Sequence, residues 1–162
     1  MSVVAIIGCG RIANYAHFPA LNKLENVRIK YACDIIMEKA EKAKQDYPKI
    51  ENTILDYHDA LNDKEVDTVF VLVPNYEHKR ITIDALRAGK NVLCEKPIAL
   101  NYEDALEMQK EAKKAGKILN IGVNNRYNTA VNTVRKMCED GTLGHIYHVE
   151  SHFFTTRRSE ER

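Results

Sequence analysis

The sequence predicts an α/β protein built on a doubly wound, parallel sheet, and three observations predict it. A β-branched apolar strand runs directly into a Gly-x-Gly-x-x-Ala turn at residues 8–13. Six strand candidates alternate with helix candidates along the chain, which is the pattern of right-handed strand–helix–strand crossovers. Residues 68–73 form a continuous apolar run, typical of a strand that is covered on both faces.

The composition limits the class of protein. A chain of 162 residues is long enough for one domain with a sizeable core. Its 24 basic and 23 acidic residues nearly cancel, which argues against a nucleic-acid binder and a polybasic membrane binder. No stretch reaches the roughly 18 apolar residues of a membrane helix, and the N-terminus lacks the pattern of a signal peptide. Four scattered cysteines without a Cys-x-x-Cys pair indicate reduced thiols, so we expect a cytoplasmic protein.

The chain begins with two strand–helix units. Apolar, β-branched residues predict strand 1 at 3–7. A helix follows at about 11–24 and is interrupted or bent near Pro19, because proline removes a helix hydrogen bond. Strand 2 lies at 27–33 and ends in a carboxylate. The next helix, at about 36–47, is rich in Glu, Lys and Ala, which favour helices.

Two further units follow. A short strand near 53–55 leads to a brief helix at 57–61. The apolar run at 68–73 is strand 4. Its helix, at about 77–88, ends before Gly89, a residue that accepts the left-handed backbone found beyond helix ends.

The last unit of the sheet has clear boundary signals. Strand 5 lies at 91–94. Asn101 can cap a helix over 102–115, and Gly116 follows the end of that helix. Strand 6, at 118–121, completes the predicted sheet.

The C-terminal residues follow a different pattern. Apolar residues at helical spacing predict a helix at 127–140, and strict alternation predicts a strand at 146–154. A lone strand cannot bury a face unaided. We therefore expect residues 1–125 to form the α/β domain, and 126–162 to form a linking helix and the first strand of a second, α+β domain. The exposed edge of that strand could pair with another copy of the chain, giving a homo-oligomer.

The glycine turn has the spacing of a dinucleotide-binding site. Gly8 allows the tight turn, Gly10 lets the backbone approach a pyrophosphate, and Ala13 keeps the new helix close to the strand. The helix starts at Arg11, so the N–H groups of Arg11 and Ile12 at its free end face the phosphate charge. FAD sites and some sites without redox chemistry use the same turn.

Asp34 indicates which dinucleotide is bound. At the end of strand 2, a carboxylate can accept hydrogen bonds from both ribose hydroxyls of an adenosine, or it can cap the following helix. The glycine turn favours the ribose role. A carboxylate repels a 2′-phosphate, and Ile35 and Ile36 offer no positive charge to receive one, so we expect NAD rather than NADP.

Polar loops after strands 4 and 6 reach the same sheet edge, where we expect a cofactor. Pro74 and Asn75 follow strand 4, and Asn75 either caps the next helix or contacts the cofactor. His78, in the first turn of that helix, lies either near the crevice or is an ordinary surface or core residue. After strand 6, Asn125 caps a helix or, together with Arg126, contacts cofactor or substrate.

Glu95, Lys96 and Pro97 directly follow strand 5. An ammonium at Lys96 can hold a substrate hydroxyl, stabilise negative charge on its oxygen, or join in proton transfer. Pro97 stiffens the loop and can adopt a cis peptide bond. In isolation the three residues are an ordinary polar turn.

The histidines near the C-terminus do not predict a metal site. Only His148 and His152 share a face of the predicted strand, roughly 13 Å apart at about 3.3 Å per residue. That separation is too large for both to bind one ion, so no metal is expected.

Taken together and in this order, these stretches resemble the Gfo/Idh/MocA family of oxidoreductases, the relatives of glucose–fructose oxidoreductase and inositol dehydrogenase. The resemblance covers essentially the whole chain, and the Glu-Lys-Pro after strand 5 is its most specific part. The stretches that carry it are 8–13, 32–34, 74–78, 95–97, 125–127 and 144–146.

The resemblance implies a Rossmann-type domain that binds NAD or NADP, with residues 95–97 beside the nicotinamide and Lys96 assisting catalysis. The family transfers hydride to or from a hydroxyl or carbonyl carbon of sugars, inositols and related polyols. Its members continue for about 180 further residues, the size of one more domain, which supply most substrate contacts and an Asp-x-x-x-His pair.

We therefore expect the cofactor half of an NAD-dependent sugar or polyol dehydrogenase, with little or no turnover by itself. Two alternatives stay open. One is a stand-alone NAD-binding module that senses redox state or binds other proteins without catalysis. The other is a site for a different adenine nucleotide without redox chemistry.

Overall fold

Six parallel strands form one sheet in the computed structural model, which describes residues 1–152. The strands are β1 (Ser2–Ile7), β2 (Val27–Cys33), β3 (Ile50–Ile54), β4 (Thr68–Val71), β5 (Asn91–Cys94) and β6 (Leu119–Ile121). Their order across the sheet is β3-β2-β1-β4-β5-β6, so the direction of winding reverses between β1 and β4. The doubly wound α/β fold predicted from the sequence is confirmed.

The helices follow the strands in alternation. They are α1 (Phe18–Asn22), α2 (Met37–Asp46), α3 (Tyr57–Asn62), α4 (His78–Arg87), α5 (Tyr102–Ala115) and α6 (Thr129–Glu139). The predicted ends of α5 are confirmed, because the Asn101 side chain accepts the Asp104 N–H at 2.8 Å and Gly116 has a φ of 63°. None of the helices in residues 1–152 is long and apolar enough to cross a membrane.

Strand β1 lies at the centre of the sheet and is buried on both faces, as its unbroken apolar sequence requires. Val4 and Ile6 pack with Phe18 in the core on one face. Ala5 and Ile7 belong to the core on the other face, together with residues of α4 and α5. Since both faces of the sheet are covered, the carboxyl edge is where loops are available to form a site.

The first helix differs from its prediction. A wide π-helical turn, Ala13–His17, precedes α1, where a helix interrupted or bent near Pro19 was expected. Pro19 instead lies in the first turn of α1, where its missing N–H would have no helical partner. The irregularity therefore lies before the proline, between the glycine turn and α1.

The chain divides into two compact units, Met1–Val123 and Asn124–Arg162. In the second unit, the Asn128 side chain caps α6 by accepting the N–H groups of Ala130 and Val131. The strand predicted at 146–154 is wrong for residues 146–152, which have no regular structure. No described strand lies beside them to accept and donate ladder hydrogen bonds.

Two parts of that prediction are not covered by the structure. Residues 153 and 154 lie outside the described residues. The role of 126–162 as the start of a substrate domain stays a prediction, as does the boundary after residue 125.

Three of the four cysteines are buried, and burial suppresses their ionisation. Desolvation, followed by the charge of Asp34, raises the pKa of the Cys9 and Cys33 thiols to about 12, and burial raises that of Cys94 to about 11. Cys138, on α6, is exposed. Because the thiolate is the reactive form, the buried thiols resist modification in the folded protein.

We therefore expect a single fast-reacting thiol in the native chain. Titration with a chromogenic disulfide reagent at pH 8 would modify Cys138 at once and the other three only after unfolding. Cys138→Ser would remove the fast phase. Any fast-reacting thiol that remains in that variant would contradict the packing of the sheet.

Candidate functional site

A cavity of about 750 Å³ lies at the carboxyl edge of the sheet, beside the point where the winding reverses between β1 and β4. Crevices at this point are where ligands bind in doubly wound folds. We call it the main cavity. It is lined by Ile7, Gly8, Gly10, Cys33, Asp34, Ile35, Ile36, Lys39, Leu55, Asp56, Tyr57, His58, Leu72, Val73, Pro74, Tyr76, Glu77, Arg80 and Ile81.

The two glycines of the turn serve different purposes. Gly8 has a φ of +99°, and a Cβ there would lie 2.6 Å from the Leu72 carbonyl oxygen, so the fold itself requires glycine. A Cβ at Gly10 would meet nothing within 4 Å. The fold does not require glycine at that position, and the open space beside its backbone fits a phosphate group that approaches closely.

Asn14 holds the turn in shape, a role that the sequence analysis missed. Its side-chain amide donates to the carbonyl oxygens of Cys9 and Gly10, both at 2.9 Å. Ala13 is fully buried in the core, as close packing of the helix on the strand requires. Arg11 is exposed and Ile12 half-buried, and both belong to the first turn, whose N–H groups lack preceding helical carbonyls.

Asp34 is locked beside the turn by two backbone groups. Its Oδ2 accepts the Cys9 N–H at 2.9 Å, and its Oδ1 accepts the Ile36 N–H at 3.0 Å. The alternative that Asp34 caps the next helix is wrong, because no side chain caps α2. Each carboxylate oxygen keeps a second lone pair, so the group can still accept hydroxyl hydrogen bonds from a ligand.

The outer walls of the main cavity combine exposed apolar surface with an ordered polar group. Ile35 is 88% exposed and Tyr76 65% exposed, which are large values for side chains that line a cavity. The Tyr57 hydroxyl donates to Asp84 Oδ2 at 2.7 Å and accepts Arg80 Nη1 at 2.8 Å. Burial, followed by the Asp84 hydrogen bond, raises the pKa of Tyr57. Apolar walls with a few fixed polar groups are typical of small-molecule sites.

Of the three site residues predicted after β4, only Pro74 lines the main cavity. Asn75 instead lines a groove of about 310 Å³ formed largely by α4 and α5. The alternative that Asn75 caps α4 is also wrong, since no side-chain cap is present.

The prediction that His78 contacts a cofactor is corrected by the structure. His78 is 1% exposed, and its two ring nitrogens lie 2.7 Å from the Pro97 carbonyl oxygen and 2.9 Å from that of Val73. Both ring nitrogens are occupied by backbone groups, so the ring joins two loops and has no polar atom left for a ligand.

Residues 95–97, which we call the Glu-Lys-Pro loop, lie outside the main cavity. The Glu95 carboxylate is only 12% exposed and binds His17 Nε2 at 2.9 Å and the Lys96 N–H at 3.0 Å. Lys96 is exposed, and its Nζ has no hydrogen-bond partner among residues 1–152. The Lys96–Pro97 bond is cis, as the sequence allowed.

Asn125 and Arg126 belong to the second unit, in a 3-10 turn over Asn124–Tyr127, and both are exposed. The alternative that Asn125 caps the next helix is wrong, because Asn128 does so. Contact of Asn125 and Arg126 with a cofactor stays a prediction. Within residues 1–152, no three His, Cys, Asp or Glu side chains are grouped to hold a metal ion.

Lys39, which lines the main cavity, bears on the predicted preference for NAD over NADP. It adds a cation to the same wall as Asp34, one helical turn beyond the two isoleucines. The prediction of NAD considered only residues next to Asp34. Lys39 lies in the first turn of α2, and helical side chains tilt toward the N-terminus of their helix. This direction brings residue 39 toward Asp34 and could have identified it from the sequence.

Comparison with known proteins identifies relatives of this chain. The family model described as "Oxidoreductase family, NAD-binding Rossmann fold" (Gfo/Idh/MocA) matches residues 3–123. The chain is 33% identical over 160 residues to inositol 2-dehydrogenase/D-chiro-inositol 3-dehydrogenase of Lactiplantibacillus plantarum, covering 98% of this chain and 45% of that protein. It is 33% identical to glucose-6-phosphate 3-dehydrogenase of Bacillus subtilis, covering 94% and 42%.

Solved structures agree with these relatives. Myo-inositol 2-dehydrogenase of Lactobacillus plantarum superposes with a TM-score of 0.81 at 32% identity, over 88% of this chain and 42% of that one. A 3-ketoreductase of Actinomadura kijaniata, in complex with NADP and TDP-benzene, has a TM-score of 0.80 at 26% identity, over 86% and 42%. The chain spans less than half the length of each of these proteins.

The different purposes of the two glycines can be tested by stability alone. We expect Gly8→Ala to destabilise the protein by at least about 2 kcal/mol, because it combines backbone strain with a clash against a carbonyl. Gly10→Ala should stay within about 0.5 kcal/mol of the wild type. Urea unfolding monitored by circular dichroism measures both stabilities. Equal losses of unfolding free energy in the two variants would contradict the different roles assigned to Gly8 and Gly10.

Proposed function

The chain belongs to the Gfo/Idh/MocA family of oxidoreductases, and from this premise we propose that its first unit binds NAD for oxidation or reduction of a sugar or polyol. The observation that carries the proposal is the open space at Gly10 beside the fixed carboxylate of Asp34. When bound, NAD supplies a nicotinamide ring that accepts or donates a hydride. The protein supplies binding, orientation and charge.

The pyrophosphate would lie against Gly10 and the first turn of the helix that begins at Arg11. Backbone N–H groups at a helix start carry partial positive charge and attract phosphate. The adenosine ribose would bind Asp34, whose two oxygens can accept the ribose hydroxyls. The exposed apolar side chains of Ile35 and Tyr76 offer apolar contact for the adenine.

The carboxylate of Asp34 favours NAD over NADP. Its two backbone hydrogen bonds prevent it from turning away, so a 2′-phosphate would be forced against a negative charge. Lys39 lines the same cavity and would offset part of this repulsion. We therefore expect a preference for NAD rather than complete exclusion of NADP.

Lys96 is the proposed catalytic residue. Its ammonium is exposed and without a partner among the described residues, so it is available to a substrate. It would donate a hydrogen bond to the reacting oxygen of the substrate and offset the negative charge that develops there. Nothing else in the Glu-Lys-Pro loop can do so, because the Glu95 side chain is bound internally.

The substrate class follows from the relatives and stays part of the proposal. Several of them are named as inositol or sugar dehydrogenases, and this chain covers less than half of their length. We propose a small polyhydroxylated substrate and a cytoplasmic location, supported by four free cysteines. Asn125 and Arg126 remain candidate contacts for the cofactor or substrate.

Calorimetric titration of the chain with NAD and NADP tests the proposal. NAD should bind about tenfold or more tightly than NADP. Asp34→Asn should weaken NAD binding by about 10- to 100-fold, because it loses hydrogen bonds to a charged acceptor. The same variant should reduce the ratio of NAD affinity to NADP affinity. Glu41→Gln, which removes an exposed carboxylate from α2, is the matched control and should change neither the NAD nor the NADP affinity.

Gly10→Ala completes the test, since it should abolish NAD binding while the protein stays folded. Tighter binding of NADP than of NAD, or an unaffected Asp34→Asn, would overturn the proposal. Little or no NADH formation is expected from this chain alone, so cofactor affinity rather than turnover is the readout.

A further inference from the structure

The Glu95 carboxylate occupies a space that three parts of the fold create for it. One oxygen contacts His17 Nε2 at 2.9 Å, and the other accepts the Lys96 N–H at 3.0 Å. The two side chains are only 12% and 15% exposed. A carboxylate this buried is costly unless each oxygen has a partner, and here both do.

Gly122 supplies the third part of that space. A Cβ at Gly122 would lie 2.8 Å from Glu95 Oε1 and 3.1 Å from its Cδ. The backbone there is not in the left-handed region, so the turn itself does not require glycine. Gly122 follows β6 and donates its N–H to the Cys94 carbonyl at 2.8 Å, which holds it under the carboxylate. The missing side chain is therefore explained by Glu95.

His17 comes from the element that starts at the glycine turn. It is the last residue of the π-helical turn, and its ring packs edge-on against Phe70 with 5.8 Å between centroids. A π turn widens the helix and changes the direction of the side chains that follow it, and such turns are frequent at functional sites. One short helical segment thus joins the phosphate-binding turn to the Glu-Lys-Pro loop.

The opposite end of the loop is held by a second histidine. The Pro97 carbonyl oxygen lies 2.7 Å from His78 Nδ1. Glu95 and Pro97 are therefore each tied to the fold, one through its side chain and the other through its backbone. Lys96, between them, keeps its ammonium without a partner among residues 1–152.

We propose that His17 and Glu95 are a buried positioning pair that fixes the Lys96 backbone relative to the phosphate-binding turn. The inference rests on the proposed function. It also assigns Glu95 a different task from cofactor contact, because the carboxylate acts through the Lys96 N–H. With the adenosine half over β1 and β2, the other half of a dinucleotide extends over β4 and β5, where this loop lies.

The pair makes a specific prediction about which half of the ligand it affects. ADP-ribose contains the adenosine and the pyrophosphate but no nicotinamide. His17→Ala and Glu95→Ala should weaken NADH binding by about fivefold or more, the cost of a disordered contact. They should leave ADP-ribose binding within about twofold. Emission of the bound NADH nicotinamide, which reports its surroundings, should shift toward that of free NADH in the same variants.

Two conservative variants separate positioning from simple packing. Glu95→Gln keeps an oxygen for the Lys96 N–H and an amide for His17, so it should restore NADH binding to within about twofold of the wild type. Gly122→Ala pushes the carboxylate aside while both of its partners remain, so it should reproduce the loss seen in Glu95→Ala. His148→Ala and Glu41→Ala are exposed controls and should bind both ligands normally.

Calorimetry with ADP-ribose and fluorescence titration with NADH measure these effects on the full chain. Equal weakening of both ligands, or no weakening of NADH, would overturn the positioning pair while leaving the proposed function intact. A wild-type chain that binds neither ligand would overturn the proposed function and the pair with it. If His17→Ala fails to fold, the comparison of Glu95→Gln with Gly122→Ala decides the question.

Discussion

The close contact between Gly8 and the Leu72 carbonyl is the constraint on which the site depends. The turn that leaves β1 must cross the end of β4, and only a residue without a side chain can pass at this distance with a left-handed backbone. Two backbone hydrogen bonds fix the crossing, from Gly8 N–H to the Cys33 carbonyl and from Leu72 N–H to that of Ile7, both at 2.8 Å. Three strand ends therefore meet at one point, and the main cavity opens beside it.

Around that point, buried or half-buried polar side chains mainly bind backbone groups of loops. Asn14, Asp34, His78 and Glu95 each contact main-chain atoms of a turn or loop at the carboxyl edge. These hydrogen bonds offset the cost of burying the polar groups and fix the loops before any ligand binds. Three features are left available to a ligand: the open space at Gly10, the second lone pairs of the Asp34 carboxylate and the ammonium of Lys96. This division of tasks is what a preorganised binding site requires.

Several errors of the sequence-based prediction share one physical cause. His78 and Asn75 were assigned from their position after β4 and the C-terminal strand from local alternation, whereas burial and pairing depend on what lies opposite in space. His78 has a position compatible with the crevice, but its ring is enclosed by the carbonyl groups of Val73, just before its own helix, and of Pro97, in the loop after β5. Residues 146–152 alternate as a strand does, yet a strand exists only with a neighbour to share its hydrogen bonds. His17 and Lys39 were missed because helical geometry decides where their side chains lie.

The amino-acid sequence by itself determined the α/β class, five of the six strands to within about two residues, the glycine turn and the carboxylate that follows β2. These depend on local properties: apolar periodicity, glycine backbone freedom and residue order along a strand. Strand β3, predicted near 53–55, begins three residues earlier, at Ile50. Only the tertiary structure decided that His78 and Glu95 hold loops, and it supplied the distances behind the separate tasks already expected of Gly8 and Gly10. Those assignments depend on distances between residues far apart in the chain, and such distances exist only once both faces of the sheet are packed.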